Sequence, residues 1–458
     1  MQEFGELGAE LSGASSIEEP SFRLDLKELL EATQTMLDVF FDLDKNRWRP
    51  WTEMPELHHG PRRNQLNSRS ELSDAAAVNG CFYDFVPTAD TARLSFLMEG
   101  LIMAKINLVL VGEASSGKSW LMRNALTEQL PKAHGTRLVI VPVILYQNSV
   151  VSNTQKDFEA PLEKRRKGRC GPPLGKNIVY FVEDLTMGKK DKHGRSDVLE
   201  LLRQLSDFGQ CYDLRTVEAK RIEDVSVAAT MTCSPNNSFP LLGGRHARHF
   251  AFLGYPCGTG HLTDIFKHLS NSFTQSWTST SAKGAMTKII EATIGLKDKY
   301  NRLVKSTANR QMYVFNIRHM YRILHGMACL SPRSSPKDVY DVARLWNAEA
   351  YRTLVDRVEA RDEKRMFAAI IRQEVEKALQ LSPAAGRLPT KSGRPYYTHL
   401  WKGEPGRASY VELDKVKRLR PFLAEQLAEY HDQHPEARVS ISLFDFMIEY
   451  IIKVVRAL

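Results

Sequence analysis

The chain is 458 residues long, 43% hydrophobic and 26% charged, with a formal net charge of +9, a composition typical of water-soluble globular proteins with room for two or three domains. No apolar run approaches the roughly 18 residues that cross a bilayer, and the first twenty residues carry neither a secretory apolar core nor an Arg-rich transit pattern. The six cysteines (Cys81, Cys170, Cys211, Cys233, Cys257 and Cys329) form no C-x-x-C pair, which argues against a zinc site and a disulfide framework and fits a reducing compartment.

In chain order, residues 1–21 read as an acidic, Gly/Ser-rich disordered leader. A connecting segment over 22–79 follows, with helical spacing at Phe22–Leu37 and aromatic residues at Phe40, Phe41, Trp48 and Trp51. The pair His58-His59 has no third ligand near it and reads as loop. Asp90 or Thr91 is expected to cap a helix over Ala92–Ala104. The apolar run Leu108–Val111 reads as a buried parallel strand. It enters Gly112-Glu113-Ala114-Ser115-Ser116-Gly117-Lys118-Ser119-Trp120, which fits the pattern G-x-x-x-x-G-K-S of a phosphate-binding loop. The glycines let backbone N–H groups turn toward phosphates, Lys118 reaches the β- and γ-phosphates, and Ser119 ligates Mg²⁺. Helical spacing after Ser119 points a helix N-terminus at the anion.

Arg137–Leu145 is expected to be a second strand, Thr154–Lys167 a helix, and Ile178–Val182 a third strand with Glu183-Asp184 at its C-terminal end. That end is where an open parallel sheet places its ligands, and where carboxylates would hold Mg²⁺ and orient an attacking water. The dense basic run Lys164–Arg169 reads as a solvated turn, so no nucleic-acid partner is expected. Asp197–Phe208 is an amphipathic helix with Ser196 as cap and Gly209 as stop. Val225–Thr230 and His249–Leu253 complete five strands, with Arg245 and Arg248 between them. Alternation of this kind reads as α/β with a parallel sheet. Beyond Pro256 the spacing is helical from Leu262 to Leu381, including one face over Asp341–Leu381. A Pro/Gly/Lys linker over 383–398 precedes two further helices, Val416–Tyr430 and Ile441–Leu458. The apolar residues Phe444, Met447, Ile448, Ile451, Ile452 and Val455 call for a partner surface.

A phosphate loop, an acidic strand end, paired arginines and a helical lid together resemble an AAA+ module. Val86–Arg93, Glu163–Gly168, Gly171–Lys176, Phe181–Met187, Arg245–Phe250, Phe315–Arg318 and Arg344–Trp346 further resemble the third AAA+ module of dynein heavy chains, nearest the axonemal type. Leu443-Phe444 with Ile448-Glu449 resembles the helix opening the fourth module. The resemblance covers roughly residues 38–458. It implies a P-loop AAA+ α/β subdomain with a five-stranded parallel sheet over 80–260, a helical lid over 261–382, and the helical start of the next module over 399–458.

The resemblance further implies ATP or ADP and Mg²⁺ as cofactors, and neighbouring AAA+ modules of a heavy-chain ring as partners. Microtubules would be reached only indirectly, without membrane contact, in the cytoskeleton of a cilium or axoneme. The nucleotide contacts it implies are Gly112, Ser115, Ser116, Gly117, Lys118, Ser119 and Trp120. Arg318 would act as the lid's nucleotide-sensing arginine, and Arg245 and Arg248 are candidates for an arginine finger acting on the preceding module. Two departures bear on mechanism. Glu183 stands where the Mg²⁺-side residue is usually Asp, and Asp184 stands at the base position. Thr230 or Thr232 would have to replace the usual polar γ-phosphate sensor. The expectation is a regulatory ATP-binding module with slow or no hydrolysis. Two other readings stay open: a nucleotide-locked structural unit, and a free-standing AAA+ remodelling ATPase.

Overall fold

The computed structural model describes residues 39–42, 46–53, 85–146, 148–166, 168–189, 191–192, 195–233, 242–255, 259–274, 277–304, 313–330, 335–380, 395–400, 410–413, 416–437 and 441–457. The leader, the helix expected at Phe22–Leu37 and the pair His58-His59 lie outside them. The first described element is an antiparallel hairpin, β1 (Val39–Asp42) with β2 (Arg47–Pro50). Helix α1 (Ala89–Met103) packs Phe96 against Phe40 and Trp51, at ring-centroid distances of 6.0 and 5.7 Å. Its cap is Thr88, not Asp90 or Thr91 as the sequence suggested. The Thr88 hydroxyl accepts from Thr91 N–H and the Thr91 hydroxyl accepts from Thr88 N–H, so two orphan donors are satisfied reciprocally.

Strand β3 (Leu108–Gly112) runs into the loop and then α2 (Lys118–Asn124), which continues through a π-helical turn (Ala125–Gln129) to a last turn ending at His134. Pro131 lacks an N–H and would crowd the carbonyl four residues back, and the wider π turn accommodates it. β4 (Leu138–Ile144) and α3 (Val151–Glu159) follow. Pro161 stands just past the end of α3, and the helix expected to reach Lys167 gives way to strands β5 (Glu163–Arg166) and β6 (Arg169–Gly171). After β7 (Asn177–Glu183) and α4 (Asp197–Phe208) come β8 (Gln210–Tyr212), β9 (Ala219–Ile222) and β10 (Val225–Thr232). Gly209 ends α4 in the left-handed conformation, whereas the Ser196 side chain makes no capping bond.

β5, β6, β9 and β8 form a small second sheet that the sequence did not disclose. The basic run therefore lies on strands β5 and β6 rather than on a simple turn; Lys164, Arg166 and Arg169 are exposed, and Arg165 and Arg169 are ion-paired. Arg165 meets Asp224 at 2.7 Å, Arg169 meets Glu223 at 2.8 Å, and Lys220 of the adjoining hairpin meets Asp213 at 2.5 Å.

A short helix, α5 (Gly244–Ala247), leads to β11 (Ala251–Gly254). The main sheet is five-stranded and parallel throughout, in the order β11-β3-β10-β7-β4. Alternate residues of β7 feed opposite layers, as a two-face-buried strand requires. Ile178, Tyr180 and Val182 join Phe158 and the apolar face of α4, while Val179 and Phe181 join Met98 of α1 and Leu121, Met122 and Leu126. β3 lies between the edge strand β11 and the central strand β10, so both of its edges are paired.

The helical part comprises α6 (Thr259–Phe273), α7 (Thr280–Leu303), α8 (Ile317–Ala328), α9 (Val339–Ala350) and α10 (Arg361–Leu379). They share one core, in which the Trp346 ring N–H donates to the Thr293 hydroxyl at 2.9 Å. The single helical face expected over Asp341–Leu381 is broken. A π-helical turn (Tyr351–Val355) ends α9, and the chain re-enters helix at Arg361.

β12 (Tyr396–Thr398) pairs with β13 (Val411–Leu413), and α11 (Leu419–Gln433) and α12 (Asp445–Ala457) close the chain. Ile448 and Ile452 are buried against Leu413 and Leu419, so this chain itself supplies part of the partner surface that the apolar tail calls for. Phe444, Phe446, Tyr450 and Val454 remain exposed.

Candidate functional site

The loop between β3 and α2 owes its shape to a few positions with little freedom. An added Cβ on Gly112 would stand 3.0 Å from the Tyr255 carbonyl oxygen and 3.2 Å from Lys118 Cδ, tighter than side chains ordinarily pack. Gly117 sits at φ +104°, a conformation that L side chains rarely adopt. Ser115, at φ +62°, holds the left-handed region without being glycine, a strain that recurs at ligand-binding loops. Tyr255, just past β11, donates its N–H to Val111 O at 2.7 Å and walls the loop from the edge strand. No sequence signal marked Tyr255, because its position depends on β11 lying beside β3.

Lys118 is 6% exposed and its ammonium donates to the carbonyls of Gly112 (2.8 Å) and Glu113 (2.5 Å). Burial lowers its pKa, and the negative charges of Asp184 and Glu113 oppose that shift. The Ser116 hydroxyl is buried without a hydrogen-bond partner inside the same loop. Trp120 packs into the apolar layer beneath α2.

The acidic strand end stands beside this loop. Asp184 adopts φ +50° and ψ +74°. It is anchored there by its N–H, which donates to the Thr230 hydroxyl at 3.0 Å, and by the Thr186 hydroxyl, which donates to its Oδ1 at 2.8 Å. Thr230 is 1% exposed, so its hydroxyl is part of the support of Asp184. Glu183 lies 3.4 Å from the Arg123 guanidinium of α2.

The lid reaches the same loop from the other side. Asn316 caps α8, and its side-chain amide donates to the Ser115 hydroxyl at 3.1 Å. Arg318, two residues on, is exposed in the first turn of α8. The structure thus brings Gly112, Ser115, Ser116, Gly117, Lys118, Asp184 and Thr230 into one neighbourhood. Arg245, on α5, and Arg248, its C-cap, are not among these contacts. Arg248 is drawn onto Asp207 of α4 at 2.7 Å, whereas Arg245 is exposed and forms no ion pair among the described residues. No group of three or more metal-ligating side chains assembles among the described residues, and no described helix is long and apolar enough to cross a membrane.

Comparison with known proteins adds a family. Residues 80–257 match the P-loop containing dynein motor region, and residues 289–380 match the AAA+ lid domain. The chain is 28% identical over 387 residues to dynein axonemal heavy chain 6 of Homo sapiens, with 82% of this chain and 9% of that protein aligned. It is 25% identical over 462 residues to human dynein axonemal heavy chain 10, covering 99% of this chain and 10% of the relative. Against the ciliary dynein beta chain of Tripneustes gratilla it is 26% identical over 431 residues, covering 93% and 9%. The chain therefore spans about a tenth of the length of these relatives.

Proposed function

Because the chain belongs to the dynein-type P-loop AAA+ family, we propose that it forms a regulatory ATP- or ADP-binding module of a dynein heavy chain, the third of the ring. The large subdomain is assigned to 80–260, the lid to 261–382, a linker to 383–398 and the opening of the next module to 399–458. The observation that carries this reading is the loop at the end of β3. It combines a buried hydroxyl without a partner, a lysine folded onto two carbonyls, a glycine crowded by the Tyr255 backbone and a second glycine held at positive φ. These features fit a phosphate chain, which would relieve Ser116 and draw Lys118 off Gly112 and Glu113.

Ser119 and Glu183 are the residues that would hold Mg²⁺, which when bound neutralises charge on the phosphates. Asp184 would orient the attacking water, with Thr230 and Thr186 holding it in place. Arg318 would sense the nucleotide from the lid. Arg245 is the better candidate for a finger reaching the preceding module's nucleotide, since Asp207 already occupies Arg248. Two features favour slow turnover. Arg123 competes for Glu183, and Thr186 occupies one oxygen of Asp184. The same features support a second reading, a nucleotide-held structural unit without hydrolysis. The relatives' names place those proteins in axonemes and cilia. For this chain we infer a ciliary or axonemal setting, ring neighbours as partners, and contact with microtubules only through other parts of the heavy chain.

The test is Mg·ATP binding and phosphate release by the purified chain beside Lys118→Ala. Binding lost in the variant with slow release in the parent supports the regulatory ATPase, and binding without release supports the structural unit. Undiminished affinity in Lys118→Ala refutes both.

A further inference from the structure

The Asn316–Ser115 hydrogen bond joins positions 201 residues apart and ties the lid to the phosphate loop. Its lid end is held rigidly. Asn301 clamps the backbone of Phe315 from both sides, donating to its carbonyl at 2.9 Å and accepting from its N–H at 3.2 Å. Phe315 itself is fully buried against Tyr300. Asn316 accepts from His319 N–H through its side chain, and its own N–H donates to His319 Nδ1 at 3.2 Å. His319 in turn contacts Arg357 at 2.9 Å. The amide is therefore presented to Ser115 by a fixed frame rather than by a mobile side chain.

The loop end is the strained element. Ser115 holds a positive φ, and its hydroxyl accepts the Asn316 amide. Lid movement of even an ångström or two would lengthen a 3.1 Å bond beyond useful strength, and the loop would lose a restraint on a residue that shapes the anion cradle.

We propose that Asn316 is a positioning residue, a latch by which the lid holds the phosphate loop in its binding shape and slows nucleotide release. This rests on the nucleotide reading above. Asn316 touches the loop and needs no contact with the nucleotide. It differs in kind from Arg318, which would act on the nucleotide directly.

The test uses the full chain and a fluorescent Mg·ADP analogue as probe. Asn316→Ser keeps a good helix cap and removes the amide that reaches Ser115. Ser115→Ala removes the acceptor. Each is expected to speed dissociation about three- to tenfold, the equivalent of one neutral hydrogen bond. Asn316→Ser should add nothing in the Ser115→Ala background, because both remove the same bond. Hydrogen exchange at residues 113–117, read without nucleotide, should quicken in Asn316→Ser to the same degree as in Ser115→Ala.

An unchanged dissociation rate and unchanged exchange in Asn316→Ser overturn the latch, as do effects that multiply in the double variant. Lys118→Ala, run in parallel, separates the two levels. If it binds the probe like the parent, the phosphate-loop reading fails. If it loses binding while Asn316→Ser behaves like the parent, only the latch fails.

Discussion

Glu349 is the most consequential buried charge in the helical part, and replacing it with Gln tests whether the C-terminal helix is tied to the lid electrostatically. Its side chain is fully buried on α9. One oxygen receives Arg352 Nε at 2.9 Å and Nη2 at 2.7 Å. The other receives the Tyr410 hydroxyl and lies 3.8 Å from Arg456 Nε of α12. Burial, the largest influence, lowers the Arg456 pKa, but the Glu349 carboxylate with Cys329 and Tyr410 together more than offsets it, so the guanidinium stays charged.

Gln keeps the volume, so no cavity opens, but its amide must face one of these donors. Removing one partner of a buried pair costs about 3–5 kcal/mol. Arg352 and Arg456 retain 28% and 16% side-chain exposure, which lets water compensate part of that loss. The expected destabilisation is about 2–3 kcal/mol once solvent screening is allowed for. A chain with several cores need not unfold in one step, so the assay is hydrogen exchange across residues 445–457 alongside urea unfolding. Replacing both Glu349 and Arg456 by apolar residues should recover part of the loss. Protection of α12 within about 0.5 kcal/mol of the parent in Glu349→Gln, the scatter typical of neutral surface substitutions, would refute the reasoning.

Thr230→Val removes the acceptor of the Asp184 N–H and should cost about 1–2 kcal/mol in urea unfolding. It should also reduce any phosphate release while leaving nucleotide binding intact; unchanged stability would mean that Asp184 needs no anchor. Gly112→Ala should weaken nucleotide binding at least tenfold, since the nearest obstacle is the Tyr255 backbone. Gly100→Ala in α1, with nothing within 4 Å of the added Cβ, should instead stabilise by about 0.5–1 kcal/mol, and equal effects at the two glycines would contradict the close approach at Gly112.

Acid should loosen the lid through His319. Burial first, then Arg357, Arg322 and Arg318, lower its pKa to about 4. Nδ1 accepts from the Asn316 N–H, which leaves the neutral ring's one proton on Nε2 beside the Arg357 guanidinium, so a second proton would have to enter at Nδ1 against the Asn316 donor. Between pH 6.5 and about 4 the unfolded chain binds the proton that the folded chain refuses, so stability falls as pH falls through that window. His246 and His399, also lowered by burial, act in the same direction. The melting temperature of His319→Gln should therefore drop less over this window than that of the parent, and parallel curves would remove His319 from the account.

The central sheet was legible because strands buried on both faces leave a local record. Leu108–Val111 and Ile178–Val182 are unbroken apolar runs, and their five-strand alternation needs no knowledge of distant contacts. The helix expected over Thr154–Lys167, which is helical only as far as Glu159, shows where that record ends. Glu, Lys and Arg favour helices, but Glu163–Arg166 pairs with Arg169–Gly171, which pairs with Arg169↔Arg221 and Cys170↔Ile222 register to a strand fifty residues on. A non-local ladder overrides a propensity of a few tenths of a kcal/mol per residue.

The candidate site divides along the same line. Gly112, Gly117, Lys118 and Ser119 are written within eight residues, because one turn must present all its groups to one anion. Tyr255, the Thr230 anchor and the Asn316 contact are written nowhere near them, since each exists only once strands or subdomains are juxtaposed. Arg245 and Arg248 were equivalent in sequence for the same reason, and Asp207, some forty positions earlier, is what separates them. Residues that bind a common ligand through one loop can be found by spacing. Residues that hold that loop in shape are distributed by the fold, and it is through one of these, Asn316, that the lid would act on the loop, beside any direct contact that Arg318 makes with the nucleotide.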